Sequence, residues 1–491
     1  MRNGFLTATI TLAALGLACA AHAATFDRAA WQSDYAYLKT ALEKTDANLA
    51  WLGSPQSGVD LPDLDRRTQA ALSTAQSDAD AKQAILAFVA GVHDGHFSEL
   101  PYLEAAPAKP VSVPDPVLDQ NDPVGGCAAL GFALVQRTSF STPFEALPGF
   151  HLEADGVQQD YRAGTIVMPD NTKLGIVRIS WFRQQGFPSA CQKAWAQLRK
   201  DGTTVSDSNL GEKTAYVLFA EIADQLKRFK AEGVQAVIVD VGSNTGGNDA
   251  GDFMARFFTD KPVYSARLMM ATAPGSAGYF DDEIDALKKA LTLKPTPLAR
   301  KYLETSLAQF ERGKASLDKP RCDLSWVWRE QRSWNLGGCT GLTQAGSAGG
   351  PLRYLPAHAI ENLDIVQALH WPAMVRDYWG AWTGPVYVLT NHKTYSSAEM
   401  FSAVTHDNGI ARTVGETTGG DGCGFMTDAE PVVLPHSRLR FRIPNCVRLR
   451  ADGTDEVAGI APDLPVLPEE GEDDNVHAWR VLQAVTSDLH R

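Results

Sequence analysis

The 491-residue sequence contains no block of lysine or arginine, and its 45 basic side chains are outnumbered by 58 acidic ones, for a formal net charge of −13. Binding a polyphosphate takes a basic surface, so this balance argues against a nucleic-acid partner. No apolar stretch approaches the ~18 to 20 uninterrupted residues that a membrane-crossing helix needs. There is no Cys-x-x-Cys pair, so a zinc site or a thioredoxin-like redox function has no support. Neither a Gly-x-Gly-x-x-Gly fingerprint nor the Lys-Ser/Thr ending of a P-loop is present. No cofactor and no metal are therefore expected, and no internal repeat is visible.

What remains is ordinary globular composition, 44% hydrophobic and 21% charged, with enough length for about three domains at roughly 150 residues each. The first residues carry an address. Arg2, the apolar run over residues 5–17 and the small-x-small site Ala21-His22-Ala23 read as a secretory signal peptide cleaved after Ala23, giving a periplasmic or secreted protein. Cys19 raises a lipoprotein anchor instead, but Leu15-Gly16-Leu17-Ala18 fits the Leu-x-small-Cys pattern badly. Beyond the signal stand Cys127, Cys191, Cys322, Cys339, Cys423 and Cys446, an even number in an exported chain. Three disulfides are expected, with nearest-neighbour pairing the simplest arrangement.

Periodicity divides the mature chain. Residues 24–100 are helical, with Trp31, Tyr35, Leu38 and Leu42 recurring at three and four. Residues 101–173 begin with Pro101, Pro107, Pro110, Pro114 and Pro116 and read as an irregular connector with a small β-containing region. Buried strands are expected at 174–180 and 234–241 with a helix between them, then at 386–390 and 411–415 around a helix over 397–407. These βαβ units imply a parallel sheet in two parts, 174–264 and 381–491, the second with a C-terminal helix. The part between, 265–380, is an insertion holding Trp326, Trp328, Trp334, Trp371 and Trp379. Such aromatics either line a substrate surface or form the insertion's own core.

Three places could do chemistry. The glycine-rich turn Asp240-Val241-Gly242-Ser243-Asn244-Thr245-Gly246-Gly247 follows a buried strand, and its bare backbone N–H groups suit an oxyanion hole; a plain strand-to-helix turn has the same signature. Thr394-Tyr395-Ser396-Ser397-Ala398-Glu399 stands where a strand gives way to a helix. A serine there sits near the positive end of the helix dipole, yet Ser396 with Glu399 also fits a capping box. In His93-Asp94-Gly95-His96, a histidine could take a serine's proton near neutral pH. A metal on the two histidines lacks further ligands nearby.

Together these stretches resemble the C-terminal processing (tail-specific) serine peptidases. Members carry Asp-Leu-Arg-x-Asn-x-Gly-Gly, then Pro-Val-x-Val-Leu-x-Asn-x-x-Thr-x-Ser-x-x-Glu, then Val-Gly-Glu-x-Thr-x-Gly, then Gly-Val-x-Pro-Asp. The counterparts here start at Asp240, Pro385, Val414 and Gly459 and follow in the same order. The resemblance implies an α/β, crotonase-like peptidase core with no recognisable PDZ domain in 101–173. It implies Ser396 as nucleophile and backbone donors at Gly246 or Gly247 and at Ser397. The family's usual base, a lysine in Gly-Lys-Gly about 25 positions after the serine, is replaced here by Asp421. The chain is therefore more similar to the tricorn-core branch and to the repeats of interphotoreceptor retinoid-binding protein. In that branch a helical bundle precedes a His-bearing turn, which implies His96 as base and Glu456 as the carboxylate orienting its imidazole. The function implied is an exported serine endopeptidase acting on protein or peptide substrates. A non-catalytic binding protein on the same scaffold, or a small-substrate esterase or amidase, would use the same residues.

Overall fold

The computed structural model describes residues 26–102, 116–134, 138–319, 321–424 and 430–491. The expected signal peptide, its cleavage point after Ala23 and Cys19 lie outside these residues. The described chain opens with helices α1 (Arg28–Thr45), α2 (Leu61–Thr74) and α3 (Asp78–Gly91). Each begins at a side-chain cap, from Asp27, Asp60 and Ser77 respectively, which satisfies a backbone donor that the helix cannot. Their apolar stripes meet in one core, with Leu38, Leu42, Leu64, Ile85 and Phe88 packed together. Trp326, Val327 and Trp328 join that core from far along the chain. Directly after α3, the strand Ser98–Leu100 pairs antiparallel with Arg440–Arg442 and ties the His93 to His96 turn to the C-terminal part of the protein.

The centre is a seven-stranded mixed sheet of β1 (Phe150–Asp155), β2 (Arg162–Val167), β3 (Lys173–Arg178), β4 (Ala236–Asp240), β5 (Val386–Thr390), β6 (Arg412–Gly415) and β7 (Leu464–Pro465), hydrogen-bonded in that order. β3 to β7 are parallel, whereas β1 and β2 extend the sheet antiparallel. β1, at the sheet's edge, and β2, beside it, come from the stretch 101–173 that reads as a connector with a small β-containing region. Every residue of β4 and β5 is buried, as parallel strands covered on both faces require. Alternate side chains serve alternate faces. Val237, Val239 and Val388 pack under α4 (Pro188–Lys200) and α5 (Asp207–Ala231), while Ile238, Tyr387 and Leu389 pack against Val481, Leu482 and Val485 of the C-terminal helix Asp474–Leu489.

After β4, the short helix α6 (Ala250–Met254) leads into the long excursion before β5. This excursion is not self-contained. Its strands Arg267–Ala271 and Leu342–Ser347 form a sheet with Cys446–Leu449, and helices α7 (Ala277–Leu291) and α8 (Pro297–Ser316) bury Phe280, Leu287, Leu303 and Phe310 against it. Most of the tryptophans are core: Trp326 and Trp328 are buried, and Trp334 stacks edge-on against Trp51. The disulfides are Cys127–Cys191, Cys322–Cys339 and Cys423–Cys446. Among the described residues no helix is long and apolar enough to cross a membrane.

Candidate active site

The loop leaving β4 is held from beneath by a buried ion pair, Arg178 to Asp240 at 3.0 Å, and the Asp240 carboxylate also accepts the Gly242 N–H at 3.0 Å. Asn244 then works in three directions. Its Oδ1 accepts the Gly246 N–H at 2.8 Å, its Nδ2 donates to the Ile179 carbonyl at 2.9 Å, and its own carbonyl accepts the Tyr395 N–H at 2.9 Å. Gly246 and Gly247 sit at φ of 95° and 145°. A Cβ on Gly246 would come within 2.6 Å of the Ser396 Cβ, and one on Gly247 within 2.2 Å of the Phe182 carbonyl oxygen. Only glycine lets the two loops close on each other.

Ser396 stands between β5 and helix α9 (Ser397–Asp407) at φ 54°, ψ −118°, a conformation that a non-glycine residue adopts only where its surroundings impose it. A sharp strand-to-helix turn of this kind presents a nucleophile's Oγ at the end of a sheet. Its neighbour is employed differently: the Ser397 hydroxyl donates to the Asn248 carbonyl at 2.5 Å and accepts the Gly251 N–H at 3.2 Å. Glu399, fully buried, holds the turn. Its Oε2 accepts the N–H groups of Ser396 at 3.2 Å and Asp421 at 3.0 Å, and its Oε1 accepts the Thr418 hydroxyl at 2.6 Å and the Gly420 N–H at 2.7 Å.

His96 arrives from the end of α3. Asp94 accepts the His96 N–H at 2.8 Å and an Asn48 side-chain N–H at 2.7 Å, which fixes the turn. The imidazole Nδ1 bonds the Asp421 carbonyl oxygen. A carbonyl can only accept, so Nδ1 carries the proton and the neutral ring keeps its lone pair on Nε2. Burial pushes the imidazole down to about 4; the bond to the Asp421 carbonyl opposes this, while Arg442 and Arg448 add to it. His96 and Ser396 meet through Asp421. Its Oδ1 accepts the Ser396 N–H at 2.5 Å, and its Oδ2 lies 3.6 Å from His96 Nε2. Burial, followed by the facing Glu399 carboxylate, pushes the Asp421 carboxyl far up, which favours its neutral form at pH 7. No direct hydrogen bond joins His96 to the Ser396 hydroxyl among the described residues.

Two expectations change here. Glu456 does not touch the imidazole: its carboxylate is paired with Arg448 at 2.8 Å, and Arg448 in turn donates to the carbonyls of Gly422 at 2.6 Å and Ser396 at 3.4 Å. The Nδ1 position it was expected to orient is occupied by the Asp421 carbonyl. Gly246 is the other correction, because its N–H is already bonded to Asn244. The N–H groups of Gly247 and Ser397 have no partner among the described residues. Asn244, Glu399, Asp421 and Arg448 complete the site. The first three stood within the recognised motifs or their register, but their contacts were not readable from spacing.

The model of peptidase family S41 matches residues 212–466, more than half of the chain, including both loops and Ser396. The chain belongs to peptidase family S41. It is a serine peptidase. The structure of mature CPAF in complex with lactacystin covers 94% of this S41 chain and 98% of its own at 15% identity, with a TM-score of 0.54. Mature CPAF gives 89%, 92%, 15% and 0.51 for the same quantities. At that identity the likeness concerns the fold. No curated protein matches the sequence. His96 lies outside the range of the family model, and among the described residues no cluster of side chains could hold a metal ion.

Proposed function

We propose that this S41 peptidase is an exported endopeptidase with Ser396 as nucleophile and His96 as base. In the reaction, His96 Nε2 takes the proton from the Ser396 hydroxyl as Oγ bonds the substrate carbonyl carbon. The same nitrogen then passes that proton to the departing amine, and water repeats the sequence on the acyl-enzyme. The oxyanion rests on the N–H groups of Gly247 and Ser397, whose freedom from other hydrogen bonds among the described residues supports this role. The proton on Nδ1 supports His96 as a base that is already neutral at pH 7. Catalytic hydrogen bonds are often long before substrate binds, so closure of His96 onto Ser396 belongs to the substrate complex. Glu456 acts at one remove, by fixing Arg448 against the Ser396 and Gly422 carbonyls.

The observation that carries this reading is the backbone of Ser396, held at φ 54° directly against Gly246 while the Ser397 hydroxyl is occupied. Export is supported by three disulfides, which persist in oxidising compartments. The test is digestion of an unfolded protein by the oxidised chain beside Ser396→Ala, with fragments mapped by mass spectrometry. Fragments that depend on Ser396 are expected. Equal fragments from both proteins, or none from either with the fold intact, would overturn the assignment.

A further inference from the structure

A cavity of about 560 Å³ opens beside the glycine loop, between α5, α6 and the helical turn Trp371–Tyr378. Aromatic side chains wall it: Tyr216 and Phe219 from α5, Phe253 from α6, and Trp371, alone among the insertion's five tryptophans in doing so. Among the described residues two carboxylates line it, Glu212 and Asp249, and no lysine or arginine does. Asp249 comes two residues after Gly247, and the Asn248 carbonyl between them is bonded to the Ser397 hydroxyl. The cavity therefore adjoins the turn that carries Ser396.

Asp249 stands at the start of α6 without making a side-chain cap. Asp249 is exposed at the mouth of the cavity, and the protein packed around its carboxyl shifts it up to about 6, with Arg448 opposing and Asp252 adding to the shift. Arg448 is already committed to Glu456 and to two carbonyls. Glu283, on α7 in the adjoining hollow, is pushed up to about 7 by burial, then by Asp282 and Asp249. Lys289 stands on the wall of that hollow rather than in the aromatic cavity. The result is a concave site with an excess of negative charge and no internal cation. An aromatic wall accommodates the methylene stem of a long basic side chain and attracts its charged end, and an entering cation relieves the repulsion among the carboxylates.

We infer that this cavity receives a lysine or arginine side chain of the peptide substrate, with Asp249 as the carboxylate that selects it. The inference rests on Ser396 as nucleophile, and its test does not need turnover. Fluorescent peptides identical except for one central Arg, Leu or Glu are titrated against the Ser396→Ala chain. The Arg peptide binds at least tenfold more tightly than the Glu peptide. Adding Asp249→Asn removes most of that difference and leaves the Leu peptide within about twofold. Glu212→Gln, exposed like Asp249 but on α5 and not beside the glycine loop, reduces the difference less and serves as the second variant if Asp249→Asn folds poorly. Equal binding of the three peptides, or a preference unchanged by both substitutions, overturns the inference. Failure of the Ser396 assignment shows separately, as hydrolysis that survives Ser396→Ala.

Discussion

The Asp421 carboxyl accepts the backbone N–H of Ser396 at 2.5 Å, while the Asp421 carbonyl oxygen is bonded to Nδ1 of His96. One residue thus touches both the turn of the proposed nucleophile and the proposed base. It occupies the register in which related peptidases carry a lysine, and in the proposed mechanism it positions the two groups and does not itself take the serine's proton.

Asp421→Asn keeps an acceptor for the Ser396 N–H and removes the buried acid. It should retain most of the wild-type kcat. Asp421→Ala loses the acceptor, worth about 1 kcal/mol net for an ordinary hydrogen bond, so kcat should fall roughly fivefold. Steady-state kinetics on one peptide substrate compares them, and equal loss in both variants would contradict a role through hydrogen-bond acceptance.

Glu399 accepts hydrogen bonds from Ser396, Thr418, Gly420 and Asp421. Glu399→Ala strands these donors in a buried site and should cost about 3 kcal/mol of stability, together with nearly all activity. Denaturant unfolding measures the first quantity. A variant as stable as the wild type would mean that the staple is not needed.

The base should show itself in the pH profile. With the imidazole pushed down to about 4, His96 stays neutral through mildly acidic pH, and the acidic limb of kcat/KM should fall as pH drops through about 4 instead of the usual 6.5. A limb near 6.5 that persists in Asp421→Asn would place the titrating base elsewhere.

Much of the frame was legible because it rests on strong local signals. β4 and β5 are apolar runs each closed by one polar residue, Asp240 and Thr390, and the strand-to-helix junction at Ser396 follows from Thr394-Tyr395-Ser396 shortly after β5. β1 and β2 were harder to see, since β1 is an edge strand and β2, beside it, carries glycine and polar residues that give a weak period-two pattern. The partners of Glu456 and His96 were not legible at all. Arg448 reaches Glu456 from a strand paired with the excursion between β4 and β5, and the Asp421 carbonyl lies 325 residues from His96, so both contacts depend on packing that spacing does not encode.

Glu456→Gln tests the revised role directly. Removing one partner of a buried ion pair leaves the Arg448 charge uncompensated, at about 3 to 5 kcal/mol. Stability and kcat should fall together while the acidic limb stays in place. A variant that is fully stable but has a displaced limb would restore Glu456 to the imidazole.

Beneath the His96 turn, burial pushes the Asp46 carboxyl up to about 8, with the neighbouring Asp94 carboxylate adding to the shift. A folded-state value above the ordinary carboxyl value gives stability that is complete below about pH 4 and is lost as pH rises toward 8. Asp46→Asn should therefore be more stable than the wild type at pH 9 relative to pH 5, as read by Tm across that range. Parallel Tm curves would show that Asp46 does not titrate in this window.

The central claim is that Ser396 is the nucleophile, and the most direct measurement is mass-spectrometric mapping of the adduct formed by a fluorophosphonate with the folded, oxidised chain. The account predicts one modified serine, Ser396, with labelling abolished in Ser396→Ala, retained in Ser397→Ala and strongly slowed in His96→Ala. An adduct on Ser397, or labelling that survives Ser396→Ala at the same rate, would contradict it.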